Sequence, residues 1–225
     1  MKKLILTFIF GAVALSCSSD SSGTSLSDTP DAKAQYDDSS FGIYKGVFVG
    51  STGTVEVNVY NSGEAVATLT INGSSKTYTA AEKVAEDFAI TGLTFVNGSN
   101  SFDFNVNGNG TSPSVSSINI SGHANAKIDV IKELSNSLVK CYLGSFNGDS
   151  SGTFNIIIQG SFLYGLAKPS DDDSSLFLDG DITGNNILGE FDNGAFVGTV
   201  DGNRISGTWT NTLSESGSWS GNRKL

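Results

Sequence analysis

Four short blocks of this chain occur twice in the same order, and that repetition limits its architecture more than any other feature. Tyr44-Lys45-Gly46-Val47-Phe48-Val49-Gly50 is matched by Tyr142-Leu143-Gly144-Ser145-Phe146-Asn147-Gly148. Gly53-Thr54, which opens the apolar run to Val59, is matched by Gly152-Thr153, which opens the run to Ile158. Phe102 to Gly108 is echoed by Phe196 to Gly202, and Ile120-Ser121-Gly122 by Ile205-Ser206-Gly207. The body therefore reads as two similar copies of roughly eighty residues, 44–123 and 142–223.

Within the blocks the apolar period is two. Val55, Val57 and Val59 alternate with Glu56, Asn58 and Tyr60, and Phe102, Phe104 and Val106 with Asp103, Asn105 and Asn107. Ile205, Gly207 and Trp209 alternate with Arg204, Ser206 and Thr208. Successive side chains of a strand point to opposite faces, so this pattern gives strands with one face buried and one wet. Asn-Gly at 72–73, 97–98, 107–108 and 193–194, and Asp-Gly at 179–180 and 201–202, supply turn signals between them. The expected fold is all-β: about 10 to 14 antiparallel strands forming a meandering β-barrel, or two small barrels or sheets packed together. Gly46, Gly144, Gly198 and Gly207 would serve as kink points where a sheet curls, and a β-sandwich is the alternative.

Two stretches break the alternation. Ala80 to Asp87 reads as a short helix. Ala124 to Lys140 carries Ile128, Ile131, Leu134 and Leu138 at helical spacing, so 124–140 is expected to be an amphipathic helix joining the copies.

The N-terminus is expected to be a targeting segment. Lys2 and Lys3 precede an uncharged apolar run of 12 residues, Leu4 to Leu15. That is signal-peptide length and too short to span a hydrocarbon core of about 30 Å as a helix. Ala14-Leu15-Ser16-Cys17 resembles the lipobox of bacterial lipoproteins, with Ala14 where that family usually has leucine. The resemblance implies that residues 1–16 are removed and that Cys17 carries the lipid, acyl chains such as palmitate holding it in a membrane. The alternative is an ordinary secretory signal ending near a cysteine. Residues 17–40 are polar, acidic and nearly devoid of large apolar groups, so they are expected to form a disordered tether spanning roughly 25 Å ahead of the β domain at 41–225. Asp20 resembles the acidic residues that flank the cysteine in surface-displayed lipoproteins. The expected location is thus the bacterial outer membrane, on its periplasmic or surface face.

Charge narrows the partners. Loss of Lys2 and Lys3 leaves 11 of the 13 basic residues against 23 acidic ones, a net charge of −12. Such a chain is repelled by nucleic-acid phosphates, so no nucleic acid is expected as a partner. Of the two cysteines, Cys17 is taken by lipid, which leaves Cys141 in an apolar stretch as a buried, unpaired thiol.

No catalytic residue, metal or cofactor is assigned. His123 is the sole histidine and lacks an acid or metal partner at motif spacing, so it reads as a turn-proximal side chain in water. Ser137-Leu138-Val139-Lys140 has the Ser-x-x-Lys spacing of penicillin-recognising enzymes, without the motifs that accompany it there. Asp171, Asp172, Asp173, Asp179 and Asp181 are dense enough to suggest calcium but follow no calcium-loop spacing. Ile205-Ser206-Gly207-Thr208-Trp209-Thr210-Asn211, followed by Gly217-Ser218-Trp219, is similar to the Gly-x-Trp strands of calycin-like and avidin-type barrels. Trp209 and Trp219 are expected on adjacent strands, filling one barrel end or lining a ligand pocket. The leading expectation is a membrane-anchored envelope lipoprotein whose β domain binds a small ligand or an envelope protein partner. A structural or adhesive envelope protein and an unrecognised hydrolase are the alternatives.

Overall fold

The computed structural model describes residues 26–172 and 174–225. The first copy contributes β1 (Gly42–Val49), β2 (Gly53–Val59), β3 (Val66–Ile71), β4 (Ser74–Ala80), β5 (Ile90–Asn97), β6 (Asn100–Val106), β7 (Ser114–Asn119) and β8 (Lys127–Glu133). The second contributes β9 (Val139–Gly148), β10 (Gly152–Gln159), β11 (Phe162–Pro169), β12 (Leu176–Thr183), β13 (Asn186–Phe191), β14 (Gly194–Asp201), β15 (Arg204–Asn211) and β16 (Ser216–Arg223). Each strand pairs antiparallel with the next in sequence, apart from β7 with β8 and β8 with β9. In the second copy β16 returns to pair with β9 and closes an eight-stranded barrel. In the first, β8 likewise pairs with β1, but β7 and β8 share no ladder, so one seam interrupts an otherwise equivalent barrel. The all-β, two-copy expectation holds, as two barrels side by side and not a sandwich.

Three of the repeated blocks fall on equivalent strands: β1 with β9, β2 with β10, and β6 with β14. The fourth does not. Ile120-Ser121-Gly122 lies just after β7, whereas Ile205-Ser206-Gly207 opens β15, at the opposite strand end. Asn72-Gly73 makes its hairpin, with φ of 50° and 78° as a type I′ turn requires. Asp179-Gly180 is no turn but lies inside β12, where Gly180 pairs with Gly189.

The joining helix expected over 124–140 is absent. Residues 127–133 form β8, a hairpin turn closes through Leu134 and Ser137, and β9 starts at Val139. The same residues satisfy a second period, with Ile128 and Val130 facing the first core while Asp129 and Ile131 face away. β-Branched side chains favour extended backbone, and the free edge of β1 offers seven residues of ladder. The short helix expected over 80–87 is also absent: Ala80 ends β4 and the rest is turn. Ala80 and Val84 pack on the first core without it, and so short a stretch gains too little to offset the cost of helix nucleation.

The tether expected over 17–40 needs a similar correction. Cys17 and the residues to 25 lie outside the described chain, but from Leu26 onward the segment is laid across the closed ends of both barrels. At the second barrel, Arg223 donates to the Ser27 carbonyl and to Asp28 at 3.0 Å. At the first, Lys132 donates to the carbonyls of Ser39 and of Phe41, the latter at 2.8 Å. Lys132 pairs with Tyr44 across β1–β8 as Arg223 pairs with Tyr142 across β9–β16, so the two cations occupy the same place in their copies. A mostly polar strap is thus ordered by charge-assisted hydrogen bonds.

The barrels meet along β1 on one side and β9, β10 and β11 on the other. β1 is buried on both faces, Tyr44 and Phe48 turning into the first barrel while Val47 and Val49 pack on Val139, Cys141, Ile157 and Leu166. Cys141 is a free, fully buried thiol here, and burial pushes its pKa up. Each large aliphatic side chain in this seam contributes about 1.5–3 kcal/mol. Beside it lies Glu133, 0% exposed, which accepts from Lys45 Nζ at 3.0 Å, from the Asp31 N–H at 2.7 Å and from the Val139 N–H at 3.0 Å. Lys45 is itself only 4% exposed and also pairs with Asp31 at 2.9 Å.

Glu133→Ala would leave the Lys45 ammonium buried with a single exposed partner, and chemical denaturation should show a loss of about 3–5 kcal/mol. Replacing Lys45 and Glu133 together by apolar residues should cost much less than that single change. Burial raises the carboxyl pKa of Glu56, the β2 neighbour of Lys45, so the fold favours its protonated form. That contribution is complete below the unfolded pKa and lost as pH rises through the folded one. Glu56→Gln should therefore raise the thermal midpoint at pH 7 and bring no gain near pH 4.

Candidate functional site

The ladders make the barrels comparable position by position. On the inward face, Phe95 of the first barrel stands where the second has Gly189, each opposite Phe102 or its counterpart Phe196. Phe104 stands where the second has Gly198, opposite Leu93 or Ile187. Leu69 and Tyr78 are replaced by Ala167 and Leu178. The first lumen is accordingly full: Tyr44, Phe48, Tyr78, Phe95, Phe102 and Phe104 are all buried in one cluster, with Phe95 stacked on Phe102 at 5.5 Å.

The second barrel puts its bulk elsewhere. Trp219 on β16 stands where the first has Ile128, and Trp209 is on the adjacent β15. Neither indole projects along the barrel axis. A Cβ on Gly198 or Gly207 would sit 2.4 or 2.7 Å from Trp219 Cζ2, and one on Gly217 would sit 2.5 Å from Trp209 Nε1. The rings therefore lie over glycines of neighbouring strands, in room that any side chain would take. Phe154 does the same over Gly144. Phe154 and Phe196 meet Trp219 edge-on at 5.8 and 5.9 Å, and Phe146 meets Trp209 at 6.3 Å, a favoured aromatic geometry. Wall-hugging rings leave the middle empty.

The result is a cavity of about 410 Å³. Phe146, Phe154, Ile156, Ala167, Leu176, Leu178, Phe191, Phe196, Trp209 and Trp219 line its sides. Ser150, Asp171, Asp172, Asn193, Asn211 and Glu215 line it as well, and all lie at the barrel end formed by the β9–β10, β11–β12, β13–β14 and β15–β16 connections. The cavity opens there. Leu163, Ile187, Ile205 and Tyr142, whose hydroxyl donates to the Gly202 carbonyl at 3.2 Å, fill the other end. Both indole N–H groups donate to wall carbonyls, Trp209 to Asn147 and Trp219 to Thr208, each at 3.2 Å. The sides thus present carbon surface and π-faces, while polar atoms gather at the mouth.

The two tryptophans stand on adjacent strands as expected, and they border a pocket while being 8% and 6% exposed. The carboxylates of the acidic run part company. Asp171 and Asp172 are at the mouth, Asp179 and Asp181 face outward on β12, and Asp173 lies outside the described residues. Among the described residues no group of three or more His, Cys, Asp or Glu side chains is placed to hold a metal. At the mouth Glu215 accepts from Asn211 Nδ2 at 2.6 Å and Asp172 accepts from the Ser174 N–H at 2.8 Å, so these two carboxylates hold partners of their own, unlike the acid pair of a glycosidase. Ser137 sits in the turn before β9 and Lys140 on β9 itself, a backbone that does not bring them onto one helical face. His123 is half-buried, 3.1 Å through Nδ1 from Ser51 Oγ and edge-on to Phe48 at 5.2 Å. It borders a smaller hollow of about 200 Å³ at the end of the first barrel, not open water.

Sequence reading singled out the tryptophans but missed Ala167, Gly189 and the phenylalanines as parts of a site. A signal was present: Gly180, Gly189, Gly198 and Gly207 recur every nine residues, and all four face inward on successive strands.

Ala167→Phe should fill the lumen from the wall without disturbing a glycine contact. The protein should keep its thermal midpoint to within a few degrees, and a neutral apolar dye such as N-phenyl-1-naphthylamine, bright with the unchanged protein, should stay dark with the variant.

Compared with known protein families and with curated proteins, the chain matches neither a family model nor a curated sequence.

Proposed function

We propose that this chain is an exported lipoprotein of the bacterial envelope whose second barrel holds a small, largely apolar ligand. The observation that carries the binding reading is the cavity: at about 410 Å³ it falls within the size range of small-molecule sites, and its apolar sides with a polar mouth have the composition of such sites. The contrast between copies supports it. The same register across β5–β6 and β13–β14 gives a filled barrel and a hollow one, and Gly189 and Gly198 forgo the apolar burial that Phe95 and Phe104 supply.

The anchor reading rests on Lys2, Lys3, the apolar run and Ala14-Leu15-Ser16-Cys17. Two or more acyl chains on Cys17 suffice for stable attachment, at about 0.8 kcal/mol per buried methylene. The strap bears on how such an anchor would present the site. Ser27 and Asp28 are held at the closed end of the second barrel, so the described strap leaves the mouth uncovered.

A structural envelope role has one observation in its favour, the side-chain-filled first barrel, and that barrel serves equally well as the platform for the second.

Two measurements test the reading. Cys17→Ser should shift the protein from the membrane to the soluble fraction and abolish incorporation of labelled palmitate; retention in the membrane without acyl label in the unchanged protein would remove the anchor. Organic extraction of the purified protein followed by mass spectrometry should recover a small apolar compound that is missing from Ala167→Phe. Identical extracts from the two would remove the binding role.

A further inference from the structure

We infer that the second barrel selects cationic amphiphiles: molecules with a flat apolar body that fits among the rings and a positive head held at the mouth. This rests on the binding role proposed above and adds the charge of the ligand to it.

The depth of the cavity offers no polar partner to a head group. Trp209 and Trp219 spend their N–H groups on Asn147 and Thr208, and the remaining walls are carbon. A polar head must therefore stay at the mouth. The acidic residues lining the cavity there are Asp171, Asp172 and Glu215, on two connections, Asp172 also accepting the Ser174 N–H at 2.8 Å. Asn211 Oδ1 accepts the N–H groups of Leu213 and Glu215, both at 3.0 Å, and its Nδ2 donates to Glu215 Oε2 at 2.6 Å, so the amide braces the β15–β16 turn and holds Glu215 in the pocket's lining. Lys168 is the cation near this end, and its ammonium is bound to the Asp172 carbonyl. The other basic groups of this barrel, Lys140, Arg204, Arg223 and Lys224, lie at the closed end. Among the described residues the pocket's lining thus carries three carboxylates, with the Lys168 ammonium the cation beside them, while at the closed end Arg223 is already paired with Asp28.

A low-dielectric cavity behind the carboxylates strengthens their field at the entrance. A carboxylate-headed amphiphile such as a fatty acid would place its charge against three like charges. An ammonium would gain the same interactions with opposite sign, and π-faces just inside the mouth add a cation–π component. Aromatic rings with a nearby negative charge are also the pattern that recognises alkylammonium groups in general.

The test is a matched series measured by titration calorimetry on the full chain carrying Cys17→Ser: naphthalene-2-methanamine, naphthalene-2-methanol and naphthalene-2-carboxylate. These share one ring and differ in the charge of the head. The amine should bind about tenfold tighter than the alcohol at low salt, and the carboxylate weakest. The advantage of the amine should shrink as salt rises and should largely disappear in Asp171→Asn/Glu215→Gln, where the ratio of amine to alcohol affinity is the readout. Ala167→Phe should weaken all three. A carboxylate that binds as tightly as the amine would overturn the charge inference while leaving the cavity reading in place. An amine preference unmoved by the double variant would overturn it too. Binding of all three that survives Ala167→Phe would place the probes outside the lumen and remove both readings.

Discussion

Glu133 joins four parts of the molecule through two oxygen atoms. It belongs to β8, it holds Lys45 of β1, it accepts the Asp31 N–H of the strap, and it accepts the Val139 N–H that begins the second barrel. A carboxylate with no exposure persists only where its partners are in place, because an unpaired buried charge costs several kcal/mol. The geometry is therefore specified from all sides at once. With Glu133 satisfied, the strap lies across the closed ends, β8 stays on the edge of β1, and β9 leaves in the direction that lets Cys141 and Ile157 meet Val47 and Val49. The neighbouring apolar contacts supply most of the adhesion, and the ion pair sets the position in which they form.

From that fixed arrangement the two barrels diverge in what they contain. Strand number and order are shared, and register matches from β1 to β6 and across β1–β8, so the divergence there is one of side-chain volume at matched inward positions. Phe95 and Phe104 fill one lumen, while Gly189 and Gly198 open the other and give Trp219 a wall to lie against. A ring held flat over glycine buries one face as well as a ring in a packed core and leaves its other face to a guest. The cost is a lumen without side chains in its middle, which a ligand would repay.

Much of this was readable from residue order. Alternation at Val55, Val57 and Val59 and the Asn72-Gly73 signal led directly to a hairpin meander, and the repeated Tyr-x-Gly-x-Phe blocks to equivalent strands β1 and β9. The failures share a cause. Ile128, Ile131, Leu134 and Leu138 satisfy a helical period, and Ile128 and Val130 satisfy a strand period; the unfilled edge of β1 decided between them. Asp179-Gly180 has the composition of a turn, yet Gly180 is needed where β12 and β13 approach closely. Residues 26–40 have the composition of a disordered segment, and they are ordered because Arg223, Lys132 and Glu133, up to about two hundred positions away, offer bonds that no local pattern announces.

The cavity shows the same division. The amino-acid sequence by itself determined that the chain would be extended, antiparallel and duplicated, since period and turn chemistry are local and act through the two alternating faces of a strand. It also placed the aromatic and acidic residues on particular strands and turns. Only the tertiary structure decided that β16 would close on β9, setting Trp219 over Gly198 and Gly207 and bringing Asp171, Asp172 and Glu215 to one opening. Closure is a property of all eight strands together, and the empty volume it encloses exists only where residues distant in the chain face one another across it.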